Sequence, residues 1–283
     1  MLGFMILRPA GLFGDWELDR WLLRASRRTE ANPEAPPAAS VNETTLETRR
    51  VTVDFGGFRA LDDVAIEAST EEVVGLIGPN GAGKTTLLNV ITGLVAPSAG
   101  SVVAGSFSLN GSPSHVIARA GVVRTFQNLR LFDDLTVREN VEAARLMAHR
   151  HRSERPQPAI GALVSQVGLW ELRDRRAAQL DYGNARRLEL ARAAAAAPDF
   201  LLLDEPTSGM GDLESIAMIE QVRAMAAMVG AGVVVIDHDL NFITGICDRI
   251  YVLDQGRLIA VGTPEEVSAD PVVQAAYLGT AAP

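Results

Sequence analysis

One run of residues indicates how this chain folds: Gly78-Pro79-Asn80-Gly81-Ala82-Gly83-Lys84-Thr85-Thr86. It matches the pattern G-x-x-x-x-G-K-[ST], which forms a phosphate-binding loop when a strand precedes it and a helix follows it. An apolar run at 73–77 comes directly before the match, and a helix-like segment at 85–94 comes directly after it. Because both flanks have the required character, a glycine-rich turn that matches by chance is the weaker interpretation.

The residue types of this loop suit a polyphosphate. Its three glycines permit tight turns that point successive N–H groups inward, and the helix that follows adds the positive end of its dipole. Lys84 is expected to reach the β- and γ-phosphates, and the hydroxyl of Thr85 is expected to bind Mg²⁺. The sequence therefore predicts a nucleotide site in which the whole loop, 78–86, takes part.

The composition limits the class of protein. Hydrophobic residues make up 47% of the 283 residues, which is ordinary for a globular protein with a core. Because the net charge is −9, no nucleic acid is expected as a partner. The one cysteine, Cys247, cannot form an internal disulfide, and we expect a small apolar core residue rather than a reactive thiol. No run reaches the roughly 18 apolar residues of a membrane-spanning helix.

The pattern along the chain predicts two parts. Residues 1–44 form an N-terminal extension that includes an Ala/Pro-rich stretch at 29–40, which is typical of a linker. Residues 45–283 are expected to form the folded domain. Strand-like runs come first, at 46–55, 61–67 and 101–109, and a mainly helical block follows at about 127–197.

Short apolar runs of the buried parallel-strand kind occur at 73–77, 200–203, 233–236 and 250–253, separated by helix-like segments. This alternation predicts an α/β fold. Together with the phosphate-binding loop, it indicates a P-loop nucleotidase with a parallel-sheet core, an N-terminal antiparallel β subdomain and an inserted helical subdomain.

A second motif follows the apolar run at 200–203, which ends in two carboxylates, Asp204 and Glu205. Asp204 is suited to hold Mg²⁺ through an intervening water. Glu205 is suited to orient and deprotonate a water that attacks the γ-phosphate. Taken alone, the motif is equally well a charged turn after a core strand. The phosphate-binding loop upstream favours the functional interpretation.

These motifs resemble those of the ATPase subunits of ATP-binding-cassette transporters, over about residues 46–280. In that family, a glutamine at the position of Gln127 touches Mg²⁺, and a histidine at the position of His238 contacts the γ-phosphate. Phe55 stands where the family has an aromatic that stacks on adenine, with a buried core phenylalanine as the alternative. The resemblance thus implies ATP and Mg²⁺ as ligands. It implies a catalytic set of Lys84, Gln127, Glu205 and His238, and metal contacts from Thr85, Gln127 and Asp204.

The run Leu180-Asp181-Tyr182-Gly183-Asn184 occupies the position of the family signature, usually Leu-Ser-Gly-Gly-Gln. In the family this loop closes over the ATP of the other subunit, so the resemblance implies a head-to-tail dimer with two ATP molecules at the interface. Tyr182 replaces a glycine, and Asp181 replaces the serine that donates to the γ-phosphate. A carboxylate facing the phosphate would repel it. We therefore expect that Asp181 caps the following helix and that the Gly183 amide contacts the phosphate.

Another departure from the family pattern follows Glu205. Gly211 stands where many relatives have an aspartate that bridges the subunits, and Asp212 comes one residue later. The role of Asp212 stays open.

Several stretches resemble importers of branched-chain amino acids, among them Thr125-Phe126-Gln127-Asn128-Leu129-Arg130-Leu131-Phe132 and the ending Tyr277-Leu278-Gly279. Urea or amide importers share much of this pattern, and a lipid-export type of cassette is close to it. A soluble non-transport cassette ATPase, or a kinase or GTPase with a phosphate-binding loop, fits less well. The resemblance also implies membrane permease subunits and, indirectly, a substrate-binding protein as partners. The expected location is the cytoplasmic face of the cell membrane.

The N-terminal extension carries a resemblance of its own. The run Ile6-Leu7-Arg8-Pro9-Ala10-Gly11-Leu12-Phe13-Gly14 is similar to the end of the last membrane helix in the partner permeases of that subfamily. Two interpretations are open, a remnant of a permease–ATPase fusion and a disordered leader.

Overall fold

The computed structural model describes residues 44–149 and 157–278. The predictions for the N-terminal extension therefore lie outside the described residues, apart from Thr44, and so does Gly279 of the predicted ending. Strand β1 begins at Thr45, where the folded domain was expected to begin.

The strands of the antiparallel subdomain come before and after the phosphate-binding loop in the sequence. It contains β1 (Thr45–Phe55), β2 (Phe58–Val64), β3 (Glu67–Ser69), β5 (Ala99–Ala104) and β6 (Phe107–Ser108). The order is β2-β1-β5-β6, and β3 also pairs with β1.

The single strand predicted at 61–67 is wrong, because β2 and β3 are separate strands that pair with opposite halves of β1. Between them, the Thr48 hydroxyl accepts a hydrogen bond from the Ile66 amide at 2.9 Å and so takes the place of a ladder partner.

The larger sheet forms the centre of the fold. Its described strands are β4 (Val73–Ile77), β7 (Val122–Arg124), β8 (Phe200–Asp204), β9 (Gly232–Ile236), β10 (Arg249–Asp254) and β11 (Arg257–Gly262). They lie in the order β11-β10-β4-β9-β8-β7, and each pair is parallel except the β10–β11 hairpin. Every residue of β4, β8 and β9 is buried, which is the reason that these strands are continuous apolar runs. The predicted α/β fold with a parallel core is thereby confirmed.

Helices cover this sheet and form the inserted block. They are α1 (Lys84–Ile91), α2 (Ser114–Arg119), α3 (Val137–His149), α4 (Ile160–Gln166), α5 (Tyr182–Ala195), α6 (Asp212–Val229), α7 (Leu240–Ile246), α8 (Pro264–Ala269) and α9 (Pro271–Leu278). The helices of the predicted helical block are α3, α4 and α5. Within the described ranges, none of the helices combines the length and the apolar character needed to cross a bilayer.

Two hydrophobic clusters lie on opposite faces of the larger sheet, because successive residues of a strand point to opposite sides. On β8, for example, Leu201 and Leu203 face the cluster formed with the helices, whereas Leu202 faces the cluster formed with the antiparallel subdomain. Cys247 belongs to the first cluster, and burial raises the pKa of its thiol to about 12. It is a core residue, as expected.

Candidate functional site

Several of the predicted site residues lie where strands of the larger sheet end. The phosphate-binding loop, 78–83, connects β4 to α1, and Lys84, Thr85 and Thr86 form the first turn of that helix. Asp204 ends β8, and the segment containing His238 follows β9. Because the carboxyl ends of parallel strands lie at the same edge, residues that are far apart in sequence meet beside the loop.

Steric constraints explain two glycines of the loop. At Gly78, where φ is +147°, a Cβ would lie 1.9 Å from the carbonyl oxygen of Leu253. At Gly83, where φ is +105°, it would lie 2.7 Å from the carbonyl oxygen of Ala60. The loop is therefore packed against β10 and β2 so closely that only glycine fits at these two positions.

The ammonium group of Lys84 lies within the curve of the loop. Its Nζ donates hydrogen bonds to the carbonyl oxygens of Gly78 and Pro79, at 2.6 and 2.9 Å. Burial lowers the pKa of Lys84, and the negative charge of Glu205 acts in the opposite direction. Glu205 is thus close enough for its charge to act on the lysine of the loop.

The last described helix reaches the loop from the other end of the chain. The Gly78 amide donates a hydrogen bond of 2.9 Å to the hydroxyl of Tyr277, and burial raises the pKa of that hydroxyl. In the sequence, Tyr277 stands out only as part of a family resemblance. Nothing local in the sequence of α9 shows that its tyrosine contacts the phosphate-binding loop.

A buried ion pair holds Asp204. Nη2 of Arg124, at the end of β7, lies 2.6 Å from Oδ2 of Asp204, and their side chains are only 5% and 8% exposed. Nη1 of the same arginine donates to Oδ1 of Asn89 in α1 at 2.7 Å. No role was predicted for Arg124 from the sequence. A cation that directly follows the apolar residues of a short strand was the available signal, since such a group, once buried, requires a partner.

Glu205 and Gln127 are directly connected. Nε2 of Gln127 donates to Oε2 of Glu205 at 2.8 Å, and the Glu205 amide donates to the carbonyl oxygen of Ile236 at 2.7 Å. The backbone of Glu205 has φ of +51°, which is unfavourable for a residue with a side chain. Residues held in such conformations concentrate at functional sites. The structure therefore brings together these two predicted catalytic residues.

His238 projects from the end of β9 with 69% of its side chain exposed. Its Nδ1 lies 3.4 Å from Oδ1 of Asp237, whose carboxylate is fully buried. Asp237 is fixed in turn by Thr207, which donates from its amide at 3.0 Å and from its hydroxyl at 2.7 Å. The residue beside the imidazole is therefore fixed in position, and the imidazole itself faces solvent.

Phe55 lies at the tip of the β1–β2 hairpin, paired with Phe58. The two side chains are 50% and 64% exposed. The alternative of a buried core phenylalanine is therefore wrong for Phe55. A half-exposed ring of this kind offers a face for stacking.

Asp181 caps α5, as the sequence analysis expected. Its Oδ1 accepts a hydrogen bond from the Asn184 amide, and its Oδ2 accepts one from the Asn184 side chain, each at 2.8 Å. A second carboxylate, which the sequence analysis missed, borders the same loop, since a Cβ on Gly183 would lie 2.8 Å from Oε1 of Glu214. Glu214 is fixed by the Gly211 amide, which donates to it at 3.2 Å.

The donor set fits Mg²⁺ bound together with phosphate oxygens. Among the described residues, no group of three or more His, Cys, Asp or Glu side chains could hold a metal ion by itself. Mg²⁺ is commonly bound through one or two carboxylates and the oxygens of a substrate phosphate. Asp204 and the hydroxyl of Thr85 are the side chains here that suit this arrangement.

A cavity of about 310 Å³ lies on the other side of Arg124. It is bounded by α2, β7, α3 and α5, and Arg124 forms part of its wall. Its lining includes several cationic or titratable side chains, namely His115, Arg119, Glu189 and Arg192.

Comparison with known proteins gives consistent results. A family model described as "ABC transporter" matches residues 61–208, and one described as "Branched-chain amino acid ATP-binding cassette transporter" matches residues 257–283. The high-affinity branched-chain amino acid transport ATP-binding protein LivG of Salmonella typhimurium is 38% identical over 255 residues, which cover 85% of this chain and 100% of LivG. The corresponding protein BraF of Pseudomonas aeruginosa is 39% identical over 253 residues, which cover 83% and 98%.

A relative with a different function is more distant. The lipopolysaccharide export system ATP-binding protein LptB of Escherichia coli is 34% identical over 235 residues, which cover 83% of this chain and 97% of LptB. Among solved structures, the ADP conformation of an ATP-binding cassette of an ABC transporter superposes with a TM-score of 0.73 at 28% identity. That match covers 83% of this chain and 99% of the solved chain.

Unfolding experiments test how much the ion pair of Arg124 and Asp204 contributes to stability. Arg124→Met should lower the free energy of unfolding by about 3–5 kcal/mol, because it leaves a buried carboxylate without its partner. Urea denaturation of the full chain measures this loss. Arg50→Met is the matched control, since it breaks an exposed ion pair with Asp63 and should hardly move the midpoint. If the two substitutions lowered the free energy of unfolding equally, the buried ion pair would contribute no more to stability than the exposed one.

The cap of α5 yields a second test. Asp181→Ala should lower the free energy of unfolding by about 1 kcal/mol, whereas Asp181→Ser keeps an oxygen that can cap and should lose less. Asp239→Ala, which removes the cap of α7, gives the size of a cap loss at another helix. Asp181→Ser should also leave the rate of ATP hydrolysis nearly unchanged. A many-fold rise in that rate would mean that the carboxylate faces the phosphate instead.

Proposed function

Because this chain belongs to the ATP-binding-cassette transporter family, we propose that it is the ATP-binding and ATP-hydrolysing subunit of an importer for branched-chain amino acids. The observation that carries the catalytic part is the bond from Gln127 to Glu205 beside the phosphate-binding loop, with the charge of Glu205 acting on Lys84. The substrate rests on the likeness to LivG and BraF and on the family match at residues 257–283.

ATP would bind with its phosphates against the amides of the loop and the first turn of α1, whose N–H groups have no partner within the helix. Lys84 would exchange the carbonyl oxygens of Gly78 and Pro79 for phosphate oxygens. An anion at that position favours the charged form of the lysine and so opposes the effect of burial on its pKa. The exposed ring of Phe55 would stack on the adenine.

When bound, Mg²⁺ would supply positive charge that offsets the negative charge of the phosphates. The Thr85 hydroxyl would hold it directly, and the Asp204 carboxylate would hold it through water. The amide oxygen of Gln127 is free to turn toward the metal, because the bond to Glu205 uses the amide nitrogen. Arg124 keeps Asp204 in a fixed position for this task.

Glu205 would accept the proton of the attacking water, and Gln127 would hold its carboxylate in the required orientation. The strained backbone of Glu205 and its bond to β9 keep it at the edge of the sheet. His238 would contact the γ-phosphate from the neighbouring strand end. Each of these groups is positioned by a different strand, so none depends on a long flexible loop.

Two copies of the cassette would bind two ATP molecules head to tail. The loop formed by Asp181, Tyr182, Gly183 and Asn184 would close over the ATP of the partner, with the Gly183 amide and the start of α5 toward the γ-phosphate. The partner is a second cassette subunit, identical or related. ATP binding closes this dimer, and hydrolysis with product release reopens it.

The cavity of about 310 Å³ is the proposed docking site for a membrane permease subunit. It lies between α2 of the core and the helical block, so closure of the dimer would change its shape. Docking there places the chain at the cytoplasmic face of the cell membrane, with a substrate-binding protein acting on the opposite side. The similarity of the N-terminal extension to a permease end stays a prediction.

A second candidate is export of a lipid, which the 34% identity to LptB favours. A urea or amide importer is a third candidate. The identities to LivG and BraF are higher, at 38% and 39% compared with 34% for LptB.

Substitution of the proposed base tests the catalytic part. Glu205→Gln should still bind ATP but should hydrolyse it at least roughly 100-fold more slowly, because a general base contributes that much or more. With MgATP the variant should accumulate as a closed dimer, which light scattering detects. Glu220→Gln, a change of the same kind at an exposed site in α6, should keep the wild-type rate. A Glu205→Gln protein with the wild-type rate would refute the assignment.

Reconstitution tests the substrate. The chain is purified with its co-purifying permease subunits, placed in liposomes and supplied with MgATP, the binding protein and one candidate solute. Leucine, isoleucine and valine should raise the rate of ATP hydrolysis and should be taken up, and urea should do neither. The complex with Glu205→Gln provides the control for ATP-independent leak. Stimulation by urea alone, or by a lipopolysaccharide, would transfer the assignment to the corresponding alternative.

A further inference from the structure

The buried guanidinium of Arg186 connects two functional loops. Arg186 lies in the first part of α5, and its side chain is only 2% exposed. Its nitrogen atoms donate to the carbonyl oxygen of Phe126 at 2.9 Å, to the carbonyl oxygen of Gln127, to Oε2 of Glu189 at 3.1 Å, and to the hydroxyl of Tyr182 twice, at 2.8 and 3.1 Å. These bonds match the number of N–H donors that a guanidinium has.

Stability alone does not explain this arrangement. Glu189, the charged partner of Arg186, is itself buried, and that burial raises the pKa of its carboxyl group. A buried ion pair often contributes no more to stability than apolar side chains of the same volume would. Unlike an apolar residue, Arg186 fixes the backbone at Phe126 and Gln127 relative to Tyr182.

Tyr182 continues the connection toward the loop after β8. Its ring lies against Gly209, where an added Cβ would be 2.9 Å from a ring carbon. Gly209 follows the turn in which the Ser208 amide donates to the carbonyl oxygen of Glu205 at 3.2 Å. The hydroxyl of Tyr182 thus contacts Arg186, and its ring contacts the loop that begins at the proposed base.

The contacts form a closed circuit. Glu205 accepts from the side chain of Gln127, the backbone of Gln127 accepts from Arg186, and Arg186 donates to Tyr182. Tyr182 packs on Gly209, four residues after Glu205. Tyr182 is also part of the loop that would close over the ATP of the partner. The circuit therefore connects residues of the two ATP sites to which a single chain would contribute.

From this geometry we propose that Arg186 and Tyr182 are positioning residues that couple the two ATP sites. They transmit the position of Gln127 beside Glu205 in one site to the loop that closes on the ATP of the other. The proposal rests on the proposed function, because it requires an ATP-driven dimer. The hydroxyl of Tyr182 is the essential atom, since in the described part of the chain it is the group of the loop at 180–184 that accepts hydrogen bonds from the guanidinium.

Tyr182→Phe removes this hydroxyl and keeps the ring. In the full chain, the dependence of the hydrolysis rate on MgATP should lose cooperativity, with the Hill coefficient falling from near its limit of about two sites toward one. The maximal rate should fall roughly tenfold, the size expected when hydrogen bonds to a charged group are lost. The dissociation constant of the monomer for MgATP should stay unchanged, because neither Tyr182 nor Arg186 is among the residues proposed to contact the nucleotide of its own site.

Arg186→Lys provides the second variant. A lysine keeps the charge next to Glu189 but cannot bridge several acceptors as a planar guanidinium does, so it should reproduce the loss of cooperativity. The double variant should lose no more cooperativity than the more strongly affected single variant, because both substitutions break the same circuit. Tyr251→Phe is the matched control. It removes a tyrosine hydroxyl that accepts a bond from the Glu67 amide at 3.2 Å, away from the site, and should leave cooperativity unchanged.

The outcomes separate the two proposals. If the wild type hydrolyses MgATP cooperatively and both variants do so equally, the coupling role of Arg186 and Tyr182 is wrong while the proposed function stands. An active wild type with a hyperbolic dependence on MgATP overturns the coupling role in the same way. A folded wild type that neither binds nor hydrolyses MgATP overturns the proposed function and, with it, the coupling.

Discussion

Parallel hydrogen bonding between β8 and β9 aligns Asp204 with Ile236, so the residues that follow the two strands emerge side by side. The Glu205 amide then bonds to the carbonyl oxygen of Ile236, and Asp237 meets Thr207. A slip of one residue in this register would exchange the two faces of each strand and move every group at the edge. Both strands are buried on both faces, and the close packing of their side chains opposes such a slip.

The carboxylates around this edge of the sheet are held by fixed partners. Each buried carboxylate close to the loop has a partner, with Arg124 beside Asp204 and Thr207 beside Asp237. The carboxylates of Asp181 and Glu214, which border the loop at 180–184, each accept a hydrogen bond from a backbone amide. Departures from the usual family signature are thus compensated locally, by groups that keep the negative charges fixed rather than free to face a phosphate.

The sequence was sufficient for those features that depend on neighbours along the chain. The loop at 78–86, the carboxylates after β8 and the cap at Asp181 follow from local pattern, and so do the buried parallel strands. The bonds from Arg124 to Asp204 and from Arg186 to the carbonyl oxygens of Phe126 and Gln127 do not follow from it, because these partners lie on other elements and depend on packing. The same reason applies to the division of the strand expected at 61–67, since its break is set by Thr48 on β1. Short helices such as α2 and α9 lack a pattern long enough to predict.

The contact between Gly78 and Tyr277 has a consequence for biosynthesis. The two residues are 199 positions apart, and β4 depends in addition on Asp248, which accepts from the Val73 amide at 2.8 Å. During translation the N-terminal parts of a domain emerge first. The phosphate-binding loop is therefore synthesised long before the residues that complete its surroundings leave the ribosome. Nascent chains would acquire a finished nucleotide site only near the end of synthesis, which delays ATP binding until the cassette is whole.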